Sequence, residues 1–206
     1  TIVILDSEES FDTIKQALQI LGMALGENEK VEMINSFIDD QLENAQNLLE
    51  DTTEKPSVLF LGGSSALSVA TDSMIQTSLI DTSGGVNAVS GVDVVGSFAE
   101  VSVEQIIAWN PDVIWFPSYA DYSVDDLLND PAWSSINAIQ NKRVYQFPSL
   151  LEPWDYPTAA VVLGVDWALH NLHPDLFDYE TLMKNVNDFY MMVYGRTFTA
   201  EQLGIE

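Results

Sequence analysis

Aromatic, acidic and hydroxyl side chains collect in a few short segments, each directly after an apolar run. "PSYADYS" (117–123) places Tyr119 and Tyr122 around Asp121, "LLEPWDYP" (150–157) holds Trp154, Asp155 and Tyr156, and "VLFLGGSSA" (58–66) leads to Ser64 and Ser65. Rings stack on flat organic surfaces, and phenols, hydroxyls and a carboxylate add directional hydrogen bonds. Together they suit capture of a flat chelate or macrocycle. The plainer alternative is ordinary loop packing, with Asp155 capping a helix that opens at Pro157. Ser64 also stands in a Gly-x-Ser-x-Ala context, loosely that of a hydrolase nucleophile elbow, with Asp121 or Asp155 and then His170 or His173 following in chain order. Such an enzyme needs Ser64 within hydrogen-bond reach of a histidine. His170 and His173, one helical turn apart, could form half a metal site, but no third ligand is evident nearby.

These segments need a scaffold, and the hydrophobic pattern predicts one in which strands alternate with helices. Thr1–Leu5 reads as a strand. Ser10 caps a helix running to about Leu25, with Ile14, Ala17, Leu18, Leu21 and Leu25 on one face and Gly26 ending it. A longer helix follows over about 28–49, its apolar positions recurring at three and four from Val31 to Leu49. Strands are predicted over 57–63, 113–116 and 143–147. Helices are predicted over 73–81, 102–109, from Ser123, over 133–139, from Pro157 to about Leu172, over 179–194, and in a last turn boxed by Thr199 and Gln202. Ser102 and Gln105 have the spacing of another capping box, and Asn110-Pro111-Asp112 stops that helix. This order predicts an α/β fold: a parallel sheet covered by helices on both faces. Ligands of such folds bind beyond the carboxyl ends of the strands, and the three segments above lie there.

Composition excludes several classes of function. The chain has 206 residues, 47% of them apolar, with 32 acids against 7 bases and a formal charge of −25. Nucleic acid and anionic membrane surfaces demand clustered Lys and Arg, so neither is a partner. With no cysteine there is no disulfide and no thiolate chemistry. No run approaches the length of a membrane span, and no signal segment opens the chain. A start inside a strand suggests a piece of a longer protein.

"EVSVEQIIAWNPDVIW" (100–115) resembles the carboxy-terminal lobe of class III substrate-binding proteins of ABC importers, the receptors for iron–siderophores, haem, cobalamin and some metal oxyanions. Other stretches resemble the family in the same order: "SGGVNAV" (83–89), "WSSINAIQNKRVYQFP" (133–148), "LGVDWALHNLHPDLF" (163–177) and "DFYMMVYG" (188–195). Members have two α/β lobes joined by a long helix, with the ligand between them. The resemblance implies that residues 1–26 are a remnant of the first lobe, 27–53 the connecting helix and 55–206 the second lobe. It implies a non-enzymatic, monomeric receptor outside the cytoplasm, periplasmic or lipid-anchored, that hands a metal chelate or oxyanion to a membrane permease. That ligand is cargo, and no resident cofactor is implied.

The resemblance also gives the residues roles. Glu104, the glutamate of "VS-x-E", is implied to lie on the outer face and dock to an Arg of the permease. Tyr119, Tyr122, Trp154, Asp155, Tyr156, Ser64 and Ser65 are implied ligand contacts. The chain departs from the family where Tyr156-Pro157-Thr158 stands in place of a common Arg. Between residues 56 and 149 the only bases are Lys142 and Arg143. The predicted rim is therefore aromatic and polar, and an anion would depend on backbone N–H groups at helix starts. Both aromatic loops should emerge at one sheet edge, with Glu104 on an outer shoulder.

Overall fold

A computed structural model describes residues 10–92 and 96–205. The strand expected at Thr1–Leu5 lies outside them. In chain order the elements are α1 (Phe11–Leu25), α2 (Asn28–Leu49), β1 (Ser57–Phe60), β2 (Ser68–Val69), α3 (Ile75–Thr82), β3 (Val86–Asn87), β4 (Ala99–Glu100), α4 (Val103–Trp109), β5 (Val113–Pro117), α5 (Val124–Asn129), α6 (Asn137–Gln140), β6 (Val144–Phe147), α7 (Val161–Leu172), α8 (Tyr179–Tyr194) and α9 (Ala200–Leu203). A 3-10 turn covers Pro131–Trp133.

The sheet is parallel, in the order β3-β1-β5-β6. Strand side chains alternate between its faces. Val58, Phe60, Val113, Trp115 and Phe147 join the core that α2, α3, α7 and α8 cover. Leu59, Leu61, Ile114, Phe116 and Val144 join a second core that also holds Ile106 of α4, Leu127 of α5 and Ala138 of α6. Both faces are thus dry, which is why these strands read as continuous apolar runs rather than alternating ones.

Helix α2 carries the period seen in the sequence, burying Val31, Ile34, Ile38 and Ala45. It runs antiparallel to α8: Lys30 Nζ donates to the Val193 carbonyl at 2.8 Å near one end, and Phe37 meets Phe189 at 5.6 Å further along. Fully burying a side chain such as Ile38 stabilises the contact by about 1.5–3 kcal/mol. Helix α1 returns along α2, with Lys15 Nζ 2.6 Å from Asp39, and its Ile14 lies in the same core as the sheet. Helix α1 therefore packs into the same core as α2 and the sheet.

Several expectations need correction. On α1 only part of the predicted face is buried, and Leu21 and Leu25 are exposed. Helix α7 starts at Val161, not Pro157, because a turn precedes it: the Thr158 N–H donates to Tyr156 O, and the Ala160 N–H donates to Thr158 Oγ1. The Ser102 hydroxyl accepts from the Gln105 N–H at 3.3 Å, which is half of the expected box. Ser10–Thr13, Ser123–Asp126 and Thr199–Gln202 form reciprocal boxes. The antiparallel ribbon β2–β4 has only two residues in each strand, too few to show a period.

Candidate ligand-binding rim

Because β1, β5 and β6 point the same way, the loops after them emerge at one edge. Tyr119 follows β5 and Tyr156 follows β6, and their rings approach to 6.1 Å. The phenol of Tyr119 donates to Asp155 Oδ2 at 3.3 Å. The loop after β1 completes the group. The Asp121 N–H donates to Gly63 O at 2.8 Å, and the Tyr122 hydroxyl donates to Gly62 O at 2.7 Å. Gly63 is needed for the fit, since a Cβ there would lie 2.9 Å from the Tyr119 ring. The aromatic loops and the Gly62–Ser65 segment therefore share one rim.

The seven predicted contacts are not equivalent. Tyr119 and Tyr156 present 50% and 46% of their surface, and Ser64 is exposed. Ser65 is half-buried, and its hydroxyl accepts from the Leu67 N–H at 3.1 Å. Tyr122 is half-buried, its ring 4.9 Å from Phe116. Trp154 is the correction. It is 1% exposed and its indole N–H donates to Tyr190 Oη at 3.0 Å, so it supports the rim from below and offers no ring face for stacking.

Asp155 is also 1% exposed. Its backbone carbonyl accepts from Gln76 Nε2 at 2.9 Å, and its Oδ1 has no partner. It does not cap α7, whose first residue has no side-chain cap. Desolvation pushes its carboxyl up to about 6, against the opposing hydrogen bonds from its own N–H and from Tyr119. Tyr119 in turn is held well above the usual phenol range, first by burial and then by the Asp155 charge. Sequence reasoning missed Ser118 and Ser149, whose hydroxyls share a short hydrogen bond across the ends of β5 and β6. Their position straight after two strands was the available signal. Gln76, inside a helix, offered none.

Glu104 is exposed in the first turn of α4. That helix leads directly into β5 and returns along it. Its start therefore sits level with the rim, where the Val101 N–H donates to Leu67 O at 2.9 Å. Glu104's own backbone N–H and the Ser102 hydroxyl hold its carboxyl below the usual range. It stands ionised in solvent.

The histidines do not join Ser64. The His170 ring bonds to Phe177 O at 2.9 Å, and His173 is buried against Gly84, beside the start of β3 at the opposite edge. Among the described residues Ser64 has no hydrogen bond to a histidine, so the hydrolase arrangement is not assembled. Nor does any group of three or more His, Asp or Glu suited to a metal ion occur there. No helix among them is long and apolar enough to cross a membrane.

The architecture is a parallel α/β sheet with an aromatic–polar rim beyond its strand ends and a long helix along one flank. Residues 1–151 match the family described as "Periplasmic binding protein", and the chain belongs to that family. It is 35% identical to the molybdate-binding protein MolA of Haemophilus influenzae over 102 residues, which is 49% of this chain and 29% of MolA. Among solved structures, a periplasmic solute binding protein of Veillonella parvula superposes with a TM-score of 0.83 at 27% identity, covering 96% of this chain and 60% of that one. Molybdate-bound MolA superposes with a TM-score of 0.79 at 22% identity, covering 92% of this chain and 58% of MolA. Helicobacter pylori CeuE with nickel–histidine gives 0.76 at 21% identity, covering 95% and 61%. The chain thus spans about 60% of the length of the first of these structures.

Proposed function

We propose that this chain supplies the second lobe and connecting helix of an ABC-importer receptor that captures a metal chelate or metal oxyanion and presents it to a membrane permease. Residues 27–53 are read as the connecting helix, residues 55–206 as the lobe, and residues up to 26 as the exit from a first lobe. One observation carries the reading: Tyr119, Tyr156 and the Gly62–Ser65 segment meet at the carboxyl edge of one parallel sheet, where ligands of open α/β folds bind. Family membership and the molybdate named for MolA support the metal-related cargo. On this reading Tyr119, Tyr122, Tyr156, Ser64 and Ser65 face the ligand, Asp155 conditions them from below, and Glu104 docks to the permease. The receptor works as a monomer outside the cytoplasm, in the periplasm or on a lipid anchor, and its cargo includes siderophore-like chelates.

Thermal-shift screening of the two-lobed receptor against ferric chelates, haemin, cobalamin and molybdate tests this. At saturation of about 100 times Kd, a ligand raises stability by about 2.7 kcal/mol. A shift with at least one metal-containing ligand is expected. No shift with any of them, alongside a shift with a metal-free solute, contradicts the reading.

A further inference from the structure

Strand β6 leaves part of its backbone unused. It forms one edge of the sheet, beyond β5. The Ile114 N–H donates to Arg143 O at 2.9 Å, and the Ser118 N–H donates to Phe147 O at 3.2 Å. With Ile114 opposite Val144, this parity turns the backbone groups of Tyr145 and Phe147 toward β5 and those of Val144 and Gln146 away from it. The N–H and C=O groups that point away have no partner among the described residues. Such a row is a template for another strand. Neither a charge nor a proline interrupts β6 itself. Lys142 and Arg143 before it and Pro148 after it limit a partner strand to a few residues.

This edge runs along a groove of about 720 Å³. Helix α5 and its cap form one wall with Ser123, Val124 and Asp125, and α7 forms the other with Trp167, His170 and Asn171. Uncommitted polar groups collect there. Trp167 is 4% exposed, yet its indole N–H has no hydrogen-bond partner among the described residues. The same holds for the Tyr145 phenol and for the Asn171 amide N–H, since Asn171 uses its Oδ1 to accept from Trp115 Nε1 at 2.9 Å.

An edge set between two helical walls admits one extended chain more readily than the edge of a second folded sheet. A second copy would also bring its own charge of −25. Side chains of an extended chain alternate. Those turned to α7 would meet the Trp167 and Tyr145 rings. Those turned to α5 would meet Asp125, the one carboxylate among the described lining residues, where no Lys or Arg offsets it. We propose that β6 and its two walls bind an extended peptide segment of alternating apolar and basic residues, which joins the sheet as an added strand. The inference does not depend on the capture reading above.

Fluorescence anisotropy of the two-lobed receptor with labelled acetyl-Val-Lys-Val-Lys-Val-amide tests it. Saturable binding is expected, about tenfold weaker when Glu replaces Lys in the peptide or when the receptor carries Asp125→Lys. Backbone methylation separates strand pairing from charge attraction. The peptide N–H groups that face β6 all belong to residues of one parity, so methylating the Lys nitrogens or the Val nitrogens should abolish binding in one case and spare it in the other. Gln146→Pro removes one outward N–H at a position where an edge strand tolerates proline, and it should weaken binding severalfold. No binding of the Val-Lys peptide, equal binding of the Glu peptide, or equal effects of the two methylations overturns the proposal. Self-association of the parent that Gln146→Pro abolishes assigns the edge to a second copy and overturns it as well.

Discussion

At the scale of single residues, two positions separate the work of binding from that of docking. Gly63 lies under the Tyr119 ring, and a methyl there would sit 2.9 Å from it. Tyr119 is half exposed, so its ring can swing away at little cost to the fold, but the bond to Asp155 is then lost. Gly63→Ala should leave the melting temperature nearly unchanged and weaken ligand binding by about tenfold, or about 1.4 kcal/mol. A variant that melts and binds like the parent would remove Tyr119 from the site. Glu104 tests the other surface. It is exposed, and no bond from its side chain reaches the rim loops among the described residues. Glu104→Ala should slow uptake at limiting receptor while ligand affinity stays the same. Equal uptake by parent and variant would remove Glu104 from the docking surface.

At the scale of elements, α2 is tied to α7 and α8 through a partly buried polar chain. Asn185 Nδ2 of α8 donates to Gln41 Oε1 of α2 at 2.8 Å and to Asp166 Oδ2 of α7 at 3.0 Å. Asp166 is fully buried, with Oδ1 unpartnered. Burial pushes its carboxyl up to about 7, and Asn185 opposes the shift. The charged groups on the helices packed against α7 are exposed: Glu29, Lys30, Glu32, Asp39, Asp40 and Glu43 of α2, Asp81 of α3, and Glu180, Lys184 and Asp188 of α8. The folded carboxyl thus keeps its proton to about 7, whereas the unfolded one loses it near 3.8. Between those values the folded state binds more protons, so this group's contribution to stability falls as pH rises and is lost above about 7. Melting curves of the parent and of Asp166→Asn from pH 5 to 8.5 should differ by that slope, with the variant gaining relative stability at the alkaline end. Parallel profiles would contradict it.

The same elements show what the sequence makes legible. The period of α2, the apolar runs of β1, β5 and β6, and the caps at Ser10 and Thr199 are local signals, and each element formed at its signal, although β1 ends at Phe60, short of the predicted 57–63. Trp154 shows the limit. An aromatic residue at a strand end reads the same whether its ring faces a cleft or Tyr190, and the choice depends on α8, well over 30 residues later. Gln76 and Asp155 are likewise joined only by the fold, across a separation of 79 residues. The shared edge of the two tyrosine loops was legible because parallel strands dictate it. Which loop side chains turn inward was not.

At the scale of the whole molecule, charge dominates. A formal −25 with only three ion pairs among the described residues makes the folded chain repel itself. Raising NaCl from about 0.05 M to 0.5 M shortens the Debye length to well under 10 Å and screens that repulsion. The melting temperature should therefore rise with salt. A fall would mean that the surface pairs outweigh the repulsion.

The account rests on where the ligand's metal sits. Anomalous scattering from crystals of the two-lobed receptor grown with the nickel(II)–histidine complex locates it directly. The account predicts the metal peak above the carboxyl edge of the sheet, with the complex in contact with Tyr119 and Tyr156. A peak in the groove beside β6, among Tyr145, Gln146 and His170, or in the cavity that Leu49, Lys55 and Asp81 line between α2 and α3, would contradict it.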